Sequence, residues 1–525
     1  MYDQTLHWLD YVVIIISLLI SLYVGAYFAK RQTSTQNYYA ASGSIPSWAV
    51  GLSILATLIS SVTFLAYPGQ GFSSNWLLLV QGIAVVFVLL GLVWFVVPLY
   101  RKVIGISAYE YFEKRFGFYA RLYSSLAFAF AHGAKMGTVF FLMGLALSSI
   151  IGIDTYLIIW IVGFVVIFIT LKGGIEGVIW LDVIQGFMLI GGGLLALAIV
   201  FFTVDGGIVE VFTVAFEYDK ISFAPYDWDF TKLTFIVLVF NGVFYGIQKY
   251  GTDQTIVQRY LTAKSEKGAI RAAMTGVILS LPVWTLFMFL GTALFVYYMA
   301  TPESLPANIA PDAVFPYFIL TQIPIGLTGF IIAALMAASI SSLDSDLNCL
   351  SAIVVEDYYI RFKKDATDGD KLKFGKRIII IAGFLSLIAA STYVYLGSEG
   401  ILEIIFGLYA IFSGGIAGIF ILGIFTKRTN KQGLYIGIVT CIIFTAWAVL
   451  TSTDFGSGAL IDLGDWNFTH HEYMMGVYSH LIVIIVGYFS SFLFPHAEVN
   501  EDFTIHAWYK NRKQRRIDTK NDPTD

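Results

Sequence analysis

The chain has 525 residues, of which 57% are hydrophobic and 13% are charged, and its net charge is −4. A soluble domain carries about twice that charged fraction, so the composition excludes an ordinary soluble protein, and the net charge does not indicate a nucleic-acid partner. Cys349 and Cys441 lie in apolar stretches and predict neither a disulfide framework nor a metal site. The sequence has no phosphate-binding loop, zinc-type cluster or nucleophile elbow, so we do not expect an enzyme.

Long apolar runs follow one another along most of the chain. About 20 apolar residues cross a hydrocarbon core about 30 Å thick, so the runs predict an all-α polytopic membrane protein with about 13 transmembrane helices. The ninth run is too long for one simple span, and we expect it to extend past the membrane or to break. The runs lie near 8–28, 47–67, 76–100, 122–149, 155–171, 178–203, 232–252, 269–299, 314–355, 376–396, 400–425, 433–452 and 474–495.

The basic residues between these runs predict the orientation of the protein. When loops are assigned alternately to two sides, one side receives nearly all lysines and arginines, including those of a loop with Lys249 and Arg259. The other side receives only Lys220 and Lys232, and Lys135 lies inside a span. Cytoplasmic loops carry the excess of basic residues, so we expect a multi-pass protein of the cell (inner) membrane with its amino terminus outside and its carboxyl terminus in the cytoplasm.

The second run is unusually polar for a membrane helix. Hydroxyl residues crowd its middle, and Pro68 and Gly69 follow them; the hydroxyl residues are Ser53, Thr57, Ser60, Ser61 and Thr63. This composition is typical of a helix that unwinds and offers carbonyls and hydroxyls to a cation or a solute. Alternatively, these hydroxyls bond to carbonyls one turn earlier or to neighbouring helices.

The ninth run places hydroxyls and a carboxylate close together. Ser341 and Ser345 share a helix face, and Ser342 and Asp344 flank it. Na⁺ takes several oxygen ligands, and this set supplies them at low net charge, so we expect cation binding here. The alternative is a helix-end cap exposed to the cytoplasm, which suits Asp346 better than Asp344.

Three further ionisable residues lie within or near the spans. Asp182 is either an acid at the start of a helix, favoured by the helix dipole, or a partner of Asp344 around a shared cation. Lys135 is too deep to reach the membrane surface, so it pairs with an acid or meets an anionic group of a substrate. Lys249 follows Gln248 in a glycine-containing stretch that suggests another broken helix lining a pocket, although its side chain could also extend to the surface.

Four motifs make the chain resemble the sodium:solute symporter family, which includes sodium/sugar, sodium/proline and sodium/sialic-acid transporters. They are SAYEYFEKRF at 107–116, KGGIEGVIWLDVIQ at 172–185, DQTIVQR at 253–259 and AASISS at 337–342. The resemblance covers roughly residues 8–495 and is strongest to the bacterial sialic-acid branch.

The resemblance implies a fold of two inverted repeats of five helices, with a discontinuous first helix in each repeat. The discontinuous helices would lie at 51–67 and 233–252. The implied segments are an N-terminal extra helix and cytoplasmic loop (1–46), the first repeat (47–203), an extracellular loop (204–231), the second repeat (232–425), C-terminal extra helices (426–496) and a cytoplasmic tail (497–525).

The resemblance also implies one or two sodium ions. The family's general site matches Ala56, Ile59 and Ala338, which would offer backbone carbonyls, and Ser341 and Ser342, which would offer hydroxyls. A second site of the sialic-acid branch matches Asp182, Ser341, Asp344 and Ser345. The family member has serine where this chain has Asp344, and the additional carboxylate would strengthen cation binding or admit a proton.

The substrate is less well defined by the resemblance. Ser60 and Thr63 match substrate-contacting hydroxyls, and Lys135 stands where the sialic-acid branch has the arginine that binds the carboxylate of the sugar acid. Gln81 matches a pocket glutamine only with a one-residue shift. The pocket of the sodium/galactose branch is not reproduced. Its asparagine and glutamine correspond to Leu58 and Thr63 here, and its lysine and tyrosine correspond to Val277 and Lys249.

We therefore expect a sodium-coupled symporter that imports a small polar solute by alternating access. A sugar acid or a related organic anion fits best, because two buried lysines lie beside hydroxyl-rich helices. The alternatives are a neutral sugar or polyol, then an amino acid or monocarboxylate, and a solute sensor that does not transport. A channel suits broken helices less well. The expected partners are the substrate, sodium and the lipid bilayer, with no nucleic acid and no obligate protein partner.

Overall fold

A computed structural model describes residues 6–306, 308–396, 413–453, 458–496 and 498–506, with Ser61, Val62 and Glu303 described by their backbone alone. The described chain is built from α-helices joined by short connections. The helices are α1 Trp8–Phe28, α2 Thr35–Ala40, α3 Ser47–Leu58, α4 Ser61–Ser73, α5 Leu79–Val103, α6 Glu110–Phe116, α7 Phe118–Ile151, α8 Thr155–Thr203, α9 Gly207–Glu217, α10 Phe235–Gly251, α11 Gln254–Thr262, α12 Glu266–Ala300, α13 Pro311–Gln322, α14 Leu327–Ile353, α15 Ile360–Phe362, α16 Asp368–Leu396, α17 Ile416–Phe425, α18 Lys431–Ser452 and α19 Glu472–Ser490.

The membrane-spanning character of the chain is confirmed. Within the described ranges, nine helices are long and apolar enough to cross a membrane, and the bent pair α3–α4 makes a tenth. Within the predicted run at 400–425, the structure describes a helix only at Ile416–Phe425. Most of the tail from 497 lies outside the described residues. The number of 13 helices and the inverted repeat therefore stay predictions.

One helix, α8, accounts for two of the predicted runs. Its 49 residues would extend roughly 74 Å at 1.5 Å per residue, more than twice the thickness of a hydrocarbon core. The helix is interrupted at Gly174, which has φ 54° and ψ −164°, a conformation that favours glycine. Tyr38 of α2 packs there and donates its hydroxyl to the carbonyl of Thr170 at 2.7 Å. The interruption separates the two spans that the sequence predicts.

The second run is broken where its composition predicts a break. Ile59 and Ser60 have extended backbone angles between α3 and α4, and the two helices meet at a bend of 58°. Thr57 donates to the carbonyl of Ser53 at 2.8 Å, which is the local hydrogen bond of the alternative interpretation. Ser53 instead donates from its hydroxyl to Asp182 on α8, so the polar residues of this run serve both purposes.

The helix predicted to be broken at 233–252 differs from the expectation. Helix α10 is continuous from Phe235 to Gly251, and the interruption follows at Thr252 and Asp253, before α11. Asp253 caps α11 by accepting a hydrogen bond from the backbone N–H of Thr255 at 2.8 Å. The glycines of α10 instead allow close packing, because Gly242 approaches the backbone of Gln81 on α5.

The ninth run breaks rather than extending past the membrane as one helix. It forms α13 and α14, separated by a turn in which Gly326 has φ 83°. The buried Asp10 of α1 accepts from the backbone N–H groups of Gly326 at 2.7 Å and Gly329 at 2.8 Å. These bonds satisfy donors at the first turn of α14 and tie that helix to α1.

Candidate functional site

A cavity of about 330 Å³ lies beside the break between α3 and α4. It is enclosed by the middle of α7, the second half of α10 and the turn that follows α10. Four of the residues predicted for the substrate pocket line it: Ser60, Lys135, Gln248 and Lys249. Tyr109, Phe128, His132, Tyr245 and Asp253 are among the other lining residues. The cavity therefore joins the helix break to both buried lysines.

Two other residues predicted for the pocket lie outside this cavity. Thr63 is buried next to Phe64, whose ring packs against Phe287 and Phe315 at centroid distances of 5.0 and 5.2 Å. Gln81 donates its side-chain amide to Asn241 of α10 at 2.6 Å. Thr63 therefore lies on α4 beside a packed aromatic cluster, and Gln81 at the start of α5 helps to join α5 to α10.

Both lysines line the cavity and pair with acids, Lys249 with the cavity-lining Asp253 and Lys135 with Asp346 behind the lining. Lys135 Nζ lies 3.0 Å from Asp346 Oδ2, and Lys249 Nζ lies 2.6 Å from Asp253 Oδ2. His132 lies between the two carboxylates, with Nδ1 2.7 Å from Asp346 Oδ1 and Nε2 3.3 Å from Asp253 Oδ2. Each lysine therefore both pairs with an acid and lines the cavity, so the two interpretations of the lysines are compatible.

The alternative interpretation of this run, a helix-end cap exposed to the cytoplasm at Asp346, is wrong. The side chain of Asp346 is fully buried and pairs with His132 and Lys135. The reason is that α14 continues to Ile353 and is followed by a π-helical turn at Val354–Tyr359, so position 346 lies two turns inside the helix. A carboxylate at that depth requires cationic partners, and α7 supplies them.

A second, much smaller cavity of about 10 Å³ lies between α3, α8 and α14. Ala56, Ile59, Ala338 and Ser341, four of the five residues predicted for the first sodium site, line it. The hydroxyl of Ser341 donates across the interface to the carbonyl of Ala56 at 3.2 Å, and the carbonyl of Ala338 lies at the same distance. This volume is about that of a single water-sized sphere.

Two buried polar groups, one lining the small cavity and one next in the chain to its lining residue Ser341, lack a hydrogen-bond partner among the described residues. One is the hydroxyl of Ser342, the fifth residue of the predicted site, and the other is the side-chain amide of Gln185, whose nitrogen and oxygen are both unpartnered. Gln185 lines the cavity from α8. Buried polar groups are nearly always hydrogen-bonded, so these atoms fit a site that takes an oxygen-coordinated ion.

Two of the four residues predicted for a second sodium site, Asp182 and Ser345, contact the guanidinium of Arg259. This arginine is fully buried, with Nη2 2.9 Å from Asp182 Oδ2 and 2.7 Å from the hydroxyl of Ser345. Its Nε donates to the hydroxyl of Ser53 at 2.7 Å. Asp182 is thus a partner in a buried ion pair two turns beyond Gly174, and the interpretation as an acid at a helix start is wrong.

Asp344 is the least compensated member of this group. Its side chain is fully buried, its Oδ1 accepts a long bond of 3.4 Å from the hydroxyl of Ser345, and its Oδ2 has no hydrogen-bond partner among the described residues. With both acids ionised, Asp182 and Asp344 carry two negative charges against the one positive charge of Arg259. The buried group is then neutral only if Asp344 holds a proton or a cation binds beside it.

The sequence alone predicts no role for Arg259 and Gln185. Both stand at the ends of motifs that carry the family resemblance, and the alternating loops place Arg259 in a cytoplasmic basic loop with Lys264 and Lys267. The signal that was available is the short amphipathic helix α11, whose residues Gln254, Gln258 and Arg259 are all fully buried. Three polar side chains at helical spacing indicate a face that turns inward.

Comparisons with known proteins extend these observations. The model of the sodium:solute symporter family matches residues 38–441. The chain is 36% identical over 501 residues to the sodium/sialic acid symporter NanT of Aliivibrio fischeri, which covers 95% of this chain and 96% of the relative. It is 37% identical over 495 residues to the sodium/sialic acid symporter SiaT of Proteus mirabilis, with coverage of 94% and 96%.

A similar solved structure is that of a Na⁺-coupled sialic acid symporter in a substrate-bound, outward-open state. It shares 36% sequence identity, and the superposition covers 94% of this chain and 99% of that chain with a TM-score of 0.87. The similarity extends over nearly the whole chain, including all the elements that line the two cavities.

Proposed function

Because the chain belongs to the sodium:solute symporter family, we propose that it imports a carboxylated sugar of the sialic-acid class together with sodium. The observation that carries this proposal is the position of the 330 Å³ cavity, which joins the α3–α4 break to Lys135. An ammonium in a cavity bounded by polar groups is suited to a carboxylate. The relatives NanT and SiaT support the same class of substrate.

The proposed first sodium site lies at the small cavity between the broken helix and α14. Carbonyls of Ala56, Ile59 and Ala338 and hydroxyls of Ser341 and Ser342 would surround the ion. Because these groups belong to helices on both sides of the interface, an ion there would hold the broken helix against α14. Ion and solute binding would then favour each other by the same factor.

The direction of the cavity follows from the predicted orientation. With the amino terminus outside, the ends of α5 and α10 and the start of α7 lie on the cytoplasmic side. The cavity-lining residues Tyr109 and Asp253 lie near these ends. Helix α4, which carries Phe64, runs from the break towards the other side of the membrane. We therefore assign this structure to an inward-facing state. Thr63 and Gln81 would become accessible to the solute only in the outward-facing state. The repeats at 47–203 and 232–425 would rearrange between the two states.

Transport into vesicles tests the proposed substrate and its coupling. The purified protein, reconstituted into liposomes, is expected to accumulate labelled N-acetylneuraminic acid when an inward sodium gradient is imposed. Equal sodium on both sides, or potassium in place of sodium, should abolish accumulation. A neutral hexose is the comparison substrate, because the pairing of both lysines with acids also leaves room for an uncharged solute. Sodium-driven uptake of the hexose alone would contradict the assignment of a carboxylated substrate.

We further propose a second sodium ion near Asp344, whose buried Oδ2 has no hydrogen-bond partner among the described residues and whose ionised carboxylate would give the Asp182, Asp344 and Arg259 group a net negative charge. Asp344→Asn removes that charge without disturbing the ion pair between Arg259 and Asp182. The Hill coefficient for sodium in uptake should then fall from about two towards one. Glu217→Gln, an exposed acid at the end of α9, is the control and should leave the coefficient unchanged. A coefficient that is equal in Asp344→Asn and the unsubstituted protein would contradict the second ion.

A further inference from the structure

The charged residues that line the main cavity form one connected chain with Asp346, which lies behind the lining. Lys135 pairs with Asp346, His132 links Asp346 to Asp253, and Asp253 pairs with Lys249. The charges of the two lysines and the two carboxylates cancel. In this state a carboxylate of the protein already lies against each of the two ammonium groups that a carboxylated solute would meet.

We propose that Asp346 substitutes for the carboxylate of the substrate. Asp346 pairs with Lys135 when the solute leaves, and this ion pair separates when the solute binds. The proposal rests on the proposed function, since it requires an anionic substrate. Its geometric basis is that Asp346 approaches Lys135 with both oxygens, Oδ2 at 3.0 Å and Oδ1 at 3.4 Å. A second carboxylate at the same ammonium would be repelled by the first, so the two compete.

Lys135 and Asp346 differ in a way that suits an exchange. The side chain of Asp346 is fully buried, whereas that of Lys135 is 31% exposed to the cavity. An ammonium on a flexible four-carbon stem is a point charge that can turn from one carboxylate to another, whereas a guanidinium would hold both oxygens of one partner. Lys135 can therefore reach into the cavity while Asp346 stays in place.

The position of Asp346 on α14 connects this exchange to sodium. Asp346 follows Ser342 by four residues, so both project from the same helix face, one turn apart. Ser342 belongs to the proposed first sodium site. A shift of α14 when sodium leaves would therefore change the distance between Asp346 and Lys135. Sodium release and displacement of the solute would then be coupled through one rigid helix.

Asp346→Asn tests the exchange through its effects on the KM and on the maximal rate of uptake, which are measured separately. Without the competing carboxylate, the KM for N-acetylneuraminic acid should fall about fivefold or more, and the maximal rate should also fall because release loses its competitor. The methyl ester of the same sugar, which carries no negative charge, should show the same KM with and without the substitution. A purely structural role of Asp346 would change both substrates alike.

The comparison variants separate the possible outcomes. Asp370→Asn alters an acid of a surface ion pair with Lys363 and should leave both kinetic constants unchanged. Asp253→Asn keeps the cap of α11, because asparagine is also a good N-cap, but it frees Lys249 instead of Lys135. If Asp253→Asn lowers the KM for the acid and Asp346→Asn does not, the carboxylate binds at Lys249 and the proposal is overturned.

Two further outcomes decide the remaining cases. If Asp346→Asn does not fold, the reciprocal variant Lys135→Asp/Asp346→Lys retains the pair and is tested in its place. Sodium should still stabilise this double variant, but the variant should no longer bind N-acetylneuraminic acid. If it binds the sugar acid with the affinity of the unsubstituted protein, the proposal is overturned. If the unsubstituted protein does not transport the acid, the proposed function fails. If it does, and the kinetic constants of Asp346→Asn are unchanged, the exchange alone fails.

Discussion

Arg259→Met is expected to lower the free energy of unfolding by about 3–5 kcal/mol, the cost of leaving a buried charge without its partner. The guanidinium is fully buried and contacts Ser53, Asp182 and Ser345, which belong to α3, α8 and α14. Its removal leaves Asp182 and Asp344 as two buried carboxylates with no cation beside them. The measurement is thermal unfolding of the purified protein in detergent without sodium.

Two variants establish that the loss comes from the uncompensated charge. Arg31→Met removes an arginine that pairs with Glu176 at 2.8 Å, but the arginine is 56% exposed, so its loss should cost at most about 1 kcal/mol. Asp182→Asn combined with Arg259→Met removes both members of the buried pair and should recover part of the stability. If Arg259→Met and Arg31→Met have equal melting temperatures, the buried pair does not hold these helices together.

Ser342→Ala is expected to raise the sodium concentration for half-maximal uptake by about 10- to 100-fold, the range seen when groups around a metal are removed. The same substitution should leave the stability of the sodium-free protein unchanged or slightly higher. The reason is that the hydroxyl of Ser342 is buried without a hydrogen-bond partner among the described residues, so its removal breaks no bond of the protein. Sodium dependence of uptake and sodium-free melting temperature are the two measurements.

Ser339→Ala is the matched control for that experiment. Ser339 lies on the same helix and is also fully buried, but its hydroxyl donates to the carbonyl of Leu335 at 3.2 Å, one turn earlier. Its substitution should leave the sodium dependence unchanged. If Ser342→Ala retains the original sodium dependence, Ser342 does not contribute a ligand, and the first site must be completed by another group such as the unpartnered amide of Gln185.

Much of the site could be predicted because local composition determines local backbone. The hydroxyl-rich run predicts the interruption near Ile59 and Ser60, and the structure places it there. Ser60, Lys135, Gln248 and Lys249 come together around one cavity, and Ala56, Ile59, Ala338 and Ser341 around another. A polar group in an apolar helix is costly unless it faces a cavity or a partner, so its presence alone marks the site.

The partners of the buried charges could not be predicted in the same way. The sequence favours a loop position for Arg259 and an exposed helix cap for Asp346, because each residue stands near other charged residues at the end of an apolar run. Their burial depends on α11 folding inward beside α3, and on α14 continuing beyond position 346 against α7. Such pairings join residues 77 and 211 positions apart, and no local pattern specifies which cation meets which carboxylate.

The sequence by itself determined that this protein lies in a membrane, that the hydroxyl-rich second run is broken, and several of the side chains beside that break. These properties follow from hydropathy, residue size and backbone chemistry over short stretches. The tertiary structure alone decided that α10 stays continuous, that Arg259 pairs with Asp182, that Asp346 pairs with Lys135, and that no ion pair reaches Asp344 among the described residues. Charges in a low-dielectric interior are controlled by their neighbours in space, and only the packed helices define those neighbours.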